Sequence, residues 1–223
     1  MDGIQDEGSS SWTVSYTHLD VYKRQQGSGY AMTQRNMDER SKKIVFVSNC
    51  ILNANNKVAE FARYPGMFTQ VVEILDKYGA GLIQMPCPEV LHIGNQRWWH
   101  DRNLYNNAGY RRFCRKLAEQ MADYMENYAI AGYDILAILV CDGSPTCGLT
   151  VSSHYENGGG HPEEPVRSLR EKPGIYMEEL IKEMDARGIT APPLYGLKMD
   201  DKEKTNEQII EEFDCFIRDR TCE

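Results

Sequence analysis

Three observations predict an α/β fold with a mainly parallel sheet. Short β-branched runs alternate with longer helical periods, the strongest apolar run is hydrophobic on both faces, and Gly or Pro punctuates the junctions. Lys43 to Asn49 is the first such run and reads as a buried strand. Pro65-Gly66 then opens a helix with Phe68, Val71, Val72, Leu75 and Tyr78 at helical spacing, and Gly79 and Gly81 stop it. Leu82 to Met85 is a second strand, ended by Pro86. One long helix is predicted from about Leu104 to Ala131, burying Phe113, Leu117, Met121, Tyr124 and Tyr128, with Gly132 at its end. Asp134 to Val140 is apolar on both faces, as central parallel strands are. Pro173-Gly174 starts a helix to about Arg187, capped by Gly188, and Pro193 to Leu197 is a last strand. A terminal helix, Asn206 to Arg218, turns Ile209, Ile210, Phe213 and Ile217 inward. The pattern is that of a Rossmann-like or flavodoxin-like three-layer fold with about four strands.

Composition narrows the function classes. The 223 residues carry 25 Lys+Arg and 33 Asp+Glu, a formal net charge of −8. That balance argues against a nucleic-acid partner. The longest uninterrupted apolar run, Ile135 to Cys141, falls far short of the ~20 residues of a membrane helix, so no membrane partner is expected. Residues 1–41 differ from the rest: rich in Ser, Gly, Gln, Asp and Arg, they read as a disordered tail with no signal-peptide pattern. Within them, Val14 to Gln25 resembles the translation of two transposon ends joined head to head. We read residues 1 to about 31 as artefactual, with a true start at Met32 or Met37. Residues 42–223 form the single domain, with 27 acidic against 21 basic residues.

The seven cysteines carry the functional argument. Cys50 directly follows the first predicted strand and Cys87 the second, in Pro86-Cys87-Pro88-Glu89. Cys141 and Cys147 flank the turn after the third. If those strands are parallel neighbours, their carboxyl ends share one sheet edge, and thiols 37 and 60 residues apart in sequence converge. Cys114 and Cys215 fall within helices, and Cys222 is close to the end. Each strand-end cysteine also has a plain use as a core residue. A disulfide framework is not expected, because the count is odd and a domain this size needs no staples. A thiolate trio suits a catalytic zinc with one open position, an iron–sulfur cluster with one open iron, or a nucleophilic or persulfide-carrying cysteine with two bystanders. Spacing alone does not choose.

Ser48-Asn49-Cys50-Ile51-Leu52-Asn53, Pro86-Cys87-Pro88-Glu89 and Ser144-Pro145-Thr146-Cys147-Gly148 together resemble the three signature segments of the 2-thiouracil desulfidase family. The resemblance spans Ile44 to Gly148. It implies a [4Fe-4S] cluster held by Cys50, Cys87 and Cys147, with one iron lacking a protein ligand. It further implies a small thiolated substrate whose carbon–sulfur bond is cleaved hydrolytically, and a cytoplasmic enzyme. Around the cysteines the sequence departs from the family: Leu52-Asn53 stands where Leu-Gly is usual, and Val90 to His100 replaces a Gly-Gly-Leu segment. The cluster core is retained and the pocket rebuilt. Rival readings are a zinc hydrolase on the same thiols and a non-catalytic cluster-bearing sensor or sulfur carrier.

Hydrolysis needs a base for water. Glu89 is the first candidate, its alternative use being a helix-start carboxylate or a partner for Arg97. Asp142 is the second. Ser144 is a candidate to position water or donate a proton, its alternative being a Ser-Pro turn. Cys141 either replaces Cys147 as a ligand or packs beside it. Trp98, Trp99 and His100 suit stacking on a planar ring or packing as a flap. Gly158-Gly159-Gly160 reads as a lid loop bordered by His154 and His161. Arg111, Arg112, Arg115 and Lys116 form a basic group whose plainer role is a solvated helix face.

Overall fold

In the computed structural model, residues 38–157, 166–199 and 204–221 are described. The chain divides into a unit of residues 1–40 and a unit of residues 41–223, and the described strands and helices lie in the second. Val14 to Gln25, Met32, Met37, Gly158 to Gly160, His161 and Cys222 fall outside the described residues.

The strands are β1 (Lys43–Ser48), β2 (Gly81–Met85), β3 (Asp134–Cys141), β4 (Ser152–Tyr155), β5 (Arg167–Arg170) and β6 (Leu194–Leu197). The helices are α1 (Asn49–Leu52), α2 (Thr69–Lys77), α3 (Pro88–Ile93), α4 (Arg102–Tyr105), α5 (Ala108–Ile130), α6 (Ile175–Arg187) and α7 (Asn206–Thr221). Four strands pair in the order β2-β1-β3-β6, all parallel, as a Rossmann- or flavodoxin-like sheet does. Period-two alternation divides the core. Ile44, Phe46, Ile138 and Val140 face one side and join residues of α5 and α6. Val45, Val47, Ala137 and Leu139 face the other and join α2 and α7. The result is three layers, helices on both faces of a sheet buried at its centre. Chain order reverses between β1 and β3, and a doubly wound fold binds its ligands outside the carboxyl ends of such strands.

Several expectations need correction. The helix predicted from Leu104 to Ala131 is two helices, α4 and α5. Asn107 interrupts it by capping α5, its side chain accepting the Tyr110 N–H at 2.9 Å. The buried face of α5 runs through Tyr110, Cys114, Leu117, Met121 and Met125, while Tyr124 is exposed. The helix expected from Pro65-Gly66 starts at Thr69, because Gly66 is held in the preceding loop by its carbonyl, which accepts the Ala54 N–H at 2.6 Å. The antiparallel hairpin β4–β5 was not expected, since its strands, Ser-Ser-His-Tyr and Arg-Ser-Leu-Arg, lack apolar alternation. Part of the basic group on α5 is not a solvated face. Arg111 pairs with Glu178 and Glu179 of α6, each at 2.7 Å, and Arg115 with Glu179 at 3.1 Å.

Candidate functional site

Parallel pairing brings the ends of β1, β2 and β3 to one edge, and each leads straight into a cysteine. Cys50 is the second residue of α1, Cys87 caps α3, Cys141 closes β3, and Cys147 stands in the turn beyond it. Cys50 is hydrogen-bonded to Cys141 and lies within electrostatic reach of Cys147. Cys147 in turn feels Cys87, Glu89 and Cys141. The three sequence-predicted ligands therefore belong to one neighbourhood, with Cys141 as a fourth thiol beside Cys50.

The Cys147 turn is set by close backbone contacts. The N–H groups of Cys147 and Thr146 donate to Ser144 Oγ at 3.1 and 3.3 Å. The carbonyls of Pro145 and Thr146 accept the N–H groups of Ile175 and Tyr176 at 3.1 and 2.9 Å, so the turn sits on the start of α6. Gly174 leaves no room for a side chain: a Cβ there would lie 2.3 Å from the Thr146 carbonyl carbon and 2.8 Å from Cys147 N. Gly148 is equally tight, with Val151 O at 2.2 Å from such an atom. Two glycines thus allow the approach that places Cys147.

Burial and mutual proximity govern the thiols. The hydrogen bond to Cys141, then burial, pushes Cys50 well above the ordinary thiol range, against the pull of Lys57. Burial, then the charges of Cys87 and Glu89, raises Cys147, with the Thr146 hydroxyl opposing. Burial and Glu89 raise Cys87, while the Val90 and Glu89 amides and Arg97 oppose. Lys57 places its ammonium 3.5 Å from Cys141 Sγ. Burial works against that charge, but Cys141 and Cys50 outweigh it and keep Lys57 cationic.

Beside the thiols lies a short polar chain. Thr146 Oγ1 donates to Glu89 Oε1 at 2.7 Å and stands 3.6 Å from Cys147 Sγ and 3.3 Å from Ser144 Oγ. Arg97 Nε donates to Glu89 Oε2 at 2.9 Å, and both residues are buried. Glu89 is thus both a residue of the first turn of α3 and an ion-pair partner of Arg97. The Tyr105 hydroxyl lies near the same carboxylate without a hydrogen bond of adequate geometry. Thr146, fully buried, is the residue that sequence reasoning missed. No local signal marks its role, because its partner Glu89 lies 57 residues away.

With the geometry in hand, comparison with known proteins adds one relation. The curated "Uncharacterized protein MJ0003" of the archaeon Methanocaldococcus jannaschii is 33% identical over 150 residues, covering 67% of this chain and 83% of that relative. The chain belongs to the family of this archaeal protein. No family model matches the chain, and no solved structure matches it.

The remaining predicted residues divide by use. Asp142 accepts the N–H groups of Leu149, Thr150 and Val151 at 2.8, 3.0 and 3.2 Å, and the Thr150 hydroxyl as well. It holds the loop after Cys147. Ser144 does form the Ser-Pro turn and accepts both amides; since Thr146 gives its proton to Glu89, Ser144 is the donor in their 3.3 Å contact. Trp99 packs edge-on against Phe61 with ring centroids 5.1 Å apart, stacks under the Arg167 guanidinium, and donates to the Ala59 carbonyl. That is the flap reading; Trp98 beside it is exposed. His154 lies in β4, paired with Ser168. Cys114 is buried in α5, where burial pushes its thiol up to about 12. Cys215 lies in α7.

Proposed function

We propose that this protein is an iron–sulfur-dependent desulfidase, cleaving a carbon–sulfur bond of a thiolated small molecule with water and releasing sulfide. The observation that carries the reading is the gathering of Cys50, Cys87 and Cys147 at one sheet edge, beside the buried Glu89–Thr146–Ser144 chain. The donor set suits the group, since soft thiolates are the normal ligands of such clusters. Among the described residues no three His, Cys, Asp or Glu side chains close on a single metal ion. In a cluster each thiolate holds a different iron, so wider spacing is what it requires. Cys50, Cys87 and Cys147 would hold it, and when bound it supplies one iron free of protein ligands, a Lewis acid for the sulfur of the substrate.

The chain's own residues supply the proton traffic. Arg97 keeps Glu89 oriented through one oxygen and Thr146 through the other. Each carboxylate oxygen retains a lone pair to take a proton from the attacking water. Ser144, accepting two amides and donating to Thr146, carries the proton returned toward the departing sulfur. Overall a thiocarbonyl and water become a carbonyl and hydrogen sulfide. Thiols in this number favour a reducing compartment, which is the support for a cytoplasmic location. Among the described residues no helix is long and apolar enough to cross a membrane.

The test is sulfide release from 2-thiouracil by protein reconstituted with iron and sulfide without oxygen. Turnover is expected, with Glu89→Gln lowering kcat by about 10²-fold at unchanged iron content. Wild-type turnover by Cys147→Ala would overturn the assignment. Retained iron with no sulfide release from any thioamide would identify a sensor or carrier instead.

A further inference from the structure

Two of the cysteines at the sheet edge are set to pair with each other. β1 and β3 are parallel neighbours, with Val47 opposite Leu139. Cys50 lies three residues beyond Val47 and Cys141 two beyond Leu139, so both leave the sheet at the same corner. Paired strands run roughly 4.8 Å apart, and a disulfide joins Cα atoms roughly 4.4–6.8 Å apart. The side chains meet as well, since the two thiols are hydrogen-bonded. Lys57, on the segment after Cys50, donates its ammonium to Cys141 Sγ at 3.5 Å and lies within electrostatic reach of Cys50, which tethers the Cys141 side chain toward it.

The other two thiols of the edge are less suited to that role. Cys147 is buried, and its turn is pinned: its N–H donates to Ser144 Oγ, and the Pro145 and Thr146 carbonyls hold amides of α6. Cys87 stands level with Cys50 across β2, but its sulfur takes up the Val90 and Glu89 amides at the start of α3. Cys50 and Cys141 are both only half-buried, so a small oxidant in solution reaches them.

We propose that Cys50 and Cys141 form a reversible disulfide when the chain holds no metal, and that this bond withdraws Cys50 from the thiol trio until it is reduced. The oxidant is a low-molecular-weight disulfide of the glutathione class. One thiol of the pair attacks a sulfur of that disulfide, breaking its S–S bond and releasing one free thiol. The other thiol then attacks the mixed disulfide and releases the second. The two cysteines give up two electrons and two protons, which leave in the two thiols of the reduced oxidant. The pairing stands whether the trio holds a cluster or zinc, so it does not rest on the desulfidase reading.

The experiment maps disulfides in the full chain. Digestion at aspartate puts Cys50, Cys87, Cys141 and Cys147 on separate peptides, since Asp76, Asp134 and Asp142 part them. The chain is stripped of metal with a chelator, reduced, and exposed to glutathione disulfide without oxygen; its peptides are then identified by mass spectrometry without reduction. The expected result is one linked pair, the Cys50 peptide joined to the Cys141 peptide. Uptake of zinc, and of iron with sulfide, should be lost in the linked chain, and dithiothreitol should reverse both changes. Cys141→Ser should leave Cys50 as a glutathione adduct, and Cys215→Ser should change nothing. No linked pair, Cys50 joined instead to Cys87 or Cys147, or metal uptake undiminished in the linked chain overturns the proposal. Linkage as expected, with no sulfide release from the metal-loaded chain, overturns the desulfidase reading alone. Sulfide release from a chain whose Cys50 and Cys141 never link overturns this inference alone. A reduced chain that takes up neither metal overturns both.

Discussion

The two helical layers covering the central sheet bury different chemistry. On the side of α2 and α7, the core is Val45, Val47, Ile51, Leu75, Leu139, Phe213 and their neighbours, aliphatic or phenyl throughout at its centre. On the side of α5 and α6, the core also takes in Tyr105, Tyr110, Tyr176, Cys114 and Cys147. The hydroxyls of those three tyrosines are buried without hydrogen-bond partners. Burying a polar group without a partner costs free energy, and folds keep such groups mostly where function demands them. Among the described residues three of the six such side-chain atoms lie on the side that holds Cys147, and Arg220 Nε of α7 is one on the other. The apolar side stabilises the sheet, whereas the mixed side gives up stability around the proposed centre.

That contrast can be broken by substitution. The largest effect is expected from Phe213→Ala on the apolar side, where a fully buried ring is lost. About 4 kcal/mol of unfolding free energy should disappear in urea titration, with no loss of bound iron from protein that remains folded. Gly174→Ala on the mixed side should cost about 3 kcal/mol, because the new methyl meets the Thr146 backbone. Unlike Phe213→Ala, it should also lower iron retention, since the same backbone places Cys147. Equal iron loss in both variants would erase the distinction.

Glu179 offers a third, smaller test. Burial resists its ionisation, but the hydrogen bonds from Arg111, Arg115 and Lys182 outweigh that and hold its carboxyl below the ordinary range. A lowered carboxyl contributes stability that is present above the unfolded-state pKa and lost as pH falls through the folded-state value. Glu179→Gln should therefore cost about 2 kcal/mol near neutrality. It should also flatten the acid limb of the stability–pH curve; an unchanged limb would show that the α5–α6 ion pairs do not matter. The smallest effect is expected from Tyr176→Phe. Removing a hydroxyl that has no partner should shift stability by under about 1 kcal/mol, toward greater stability if at all. A large destabilisation would mean that the hydroxyl is satisfied in solution and that the two sides differ less than their packing suggests.

Much of the fold was legible because burial writes a period into the sequence. The run Asp134 to Val140 is apolar on both faces and became the central strand β3. The carboxyl-edge rule then located Cys50, Cys87 and Cys147 before any contact was known. The hairpin β4–β5 left no such trace, because its strands, Ser-Ser-His-Tyr and Arg-Ser-Leu-Arg, carry few apolar residues. The break at Asn107 was hidden because an N-cap within an otherwise helical stretch looks like one more polar position. Within the site, Glu89 and Arg97 were readable as a pair, but Thr146 was not. Its contact with Glu89 joins residues 57 apart in sequence, and nothing local encodes it. The loop contacts of Asp142 were hidden for a similar reason: its partners are amides, and amides carry no sequence signal.

The measurement that reaches the central claim most directly is iron, zinc and acid-labile sulfide per chain, on protein purified without oxygen from about Met37 onward. About four irons and four sulfides, with a brown visible absorption lost in air and missing from Cys50→Ala, Cys87→Ala and Cys147→Ala alike, is the predicted result. Zinc in place of iron, or no metal after anaerobic reconstitution, would contradict it and return the three cysteines to hydrolase or core duty.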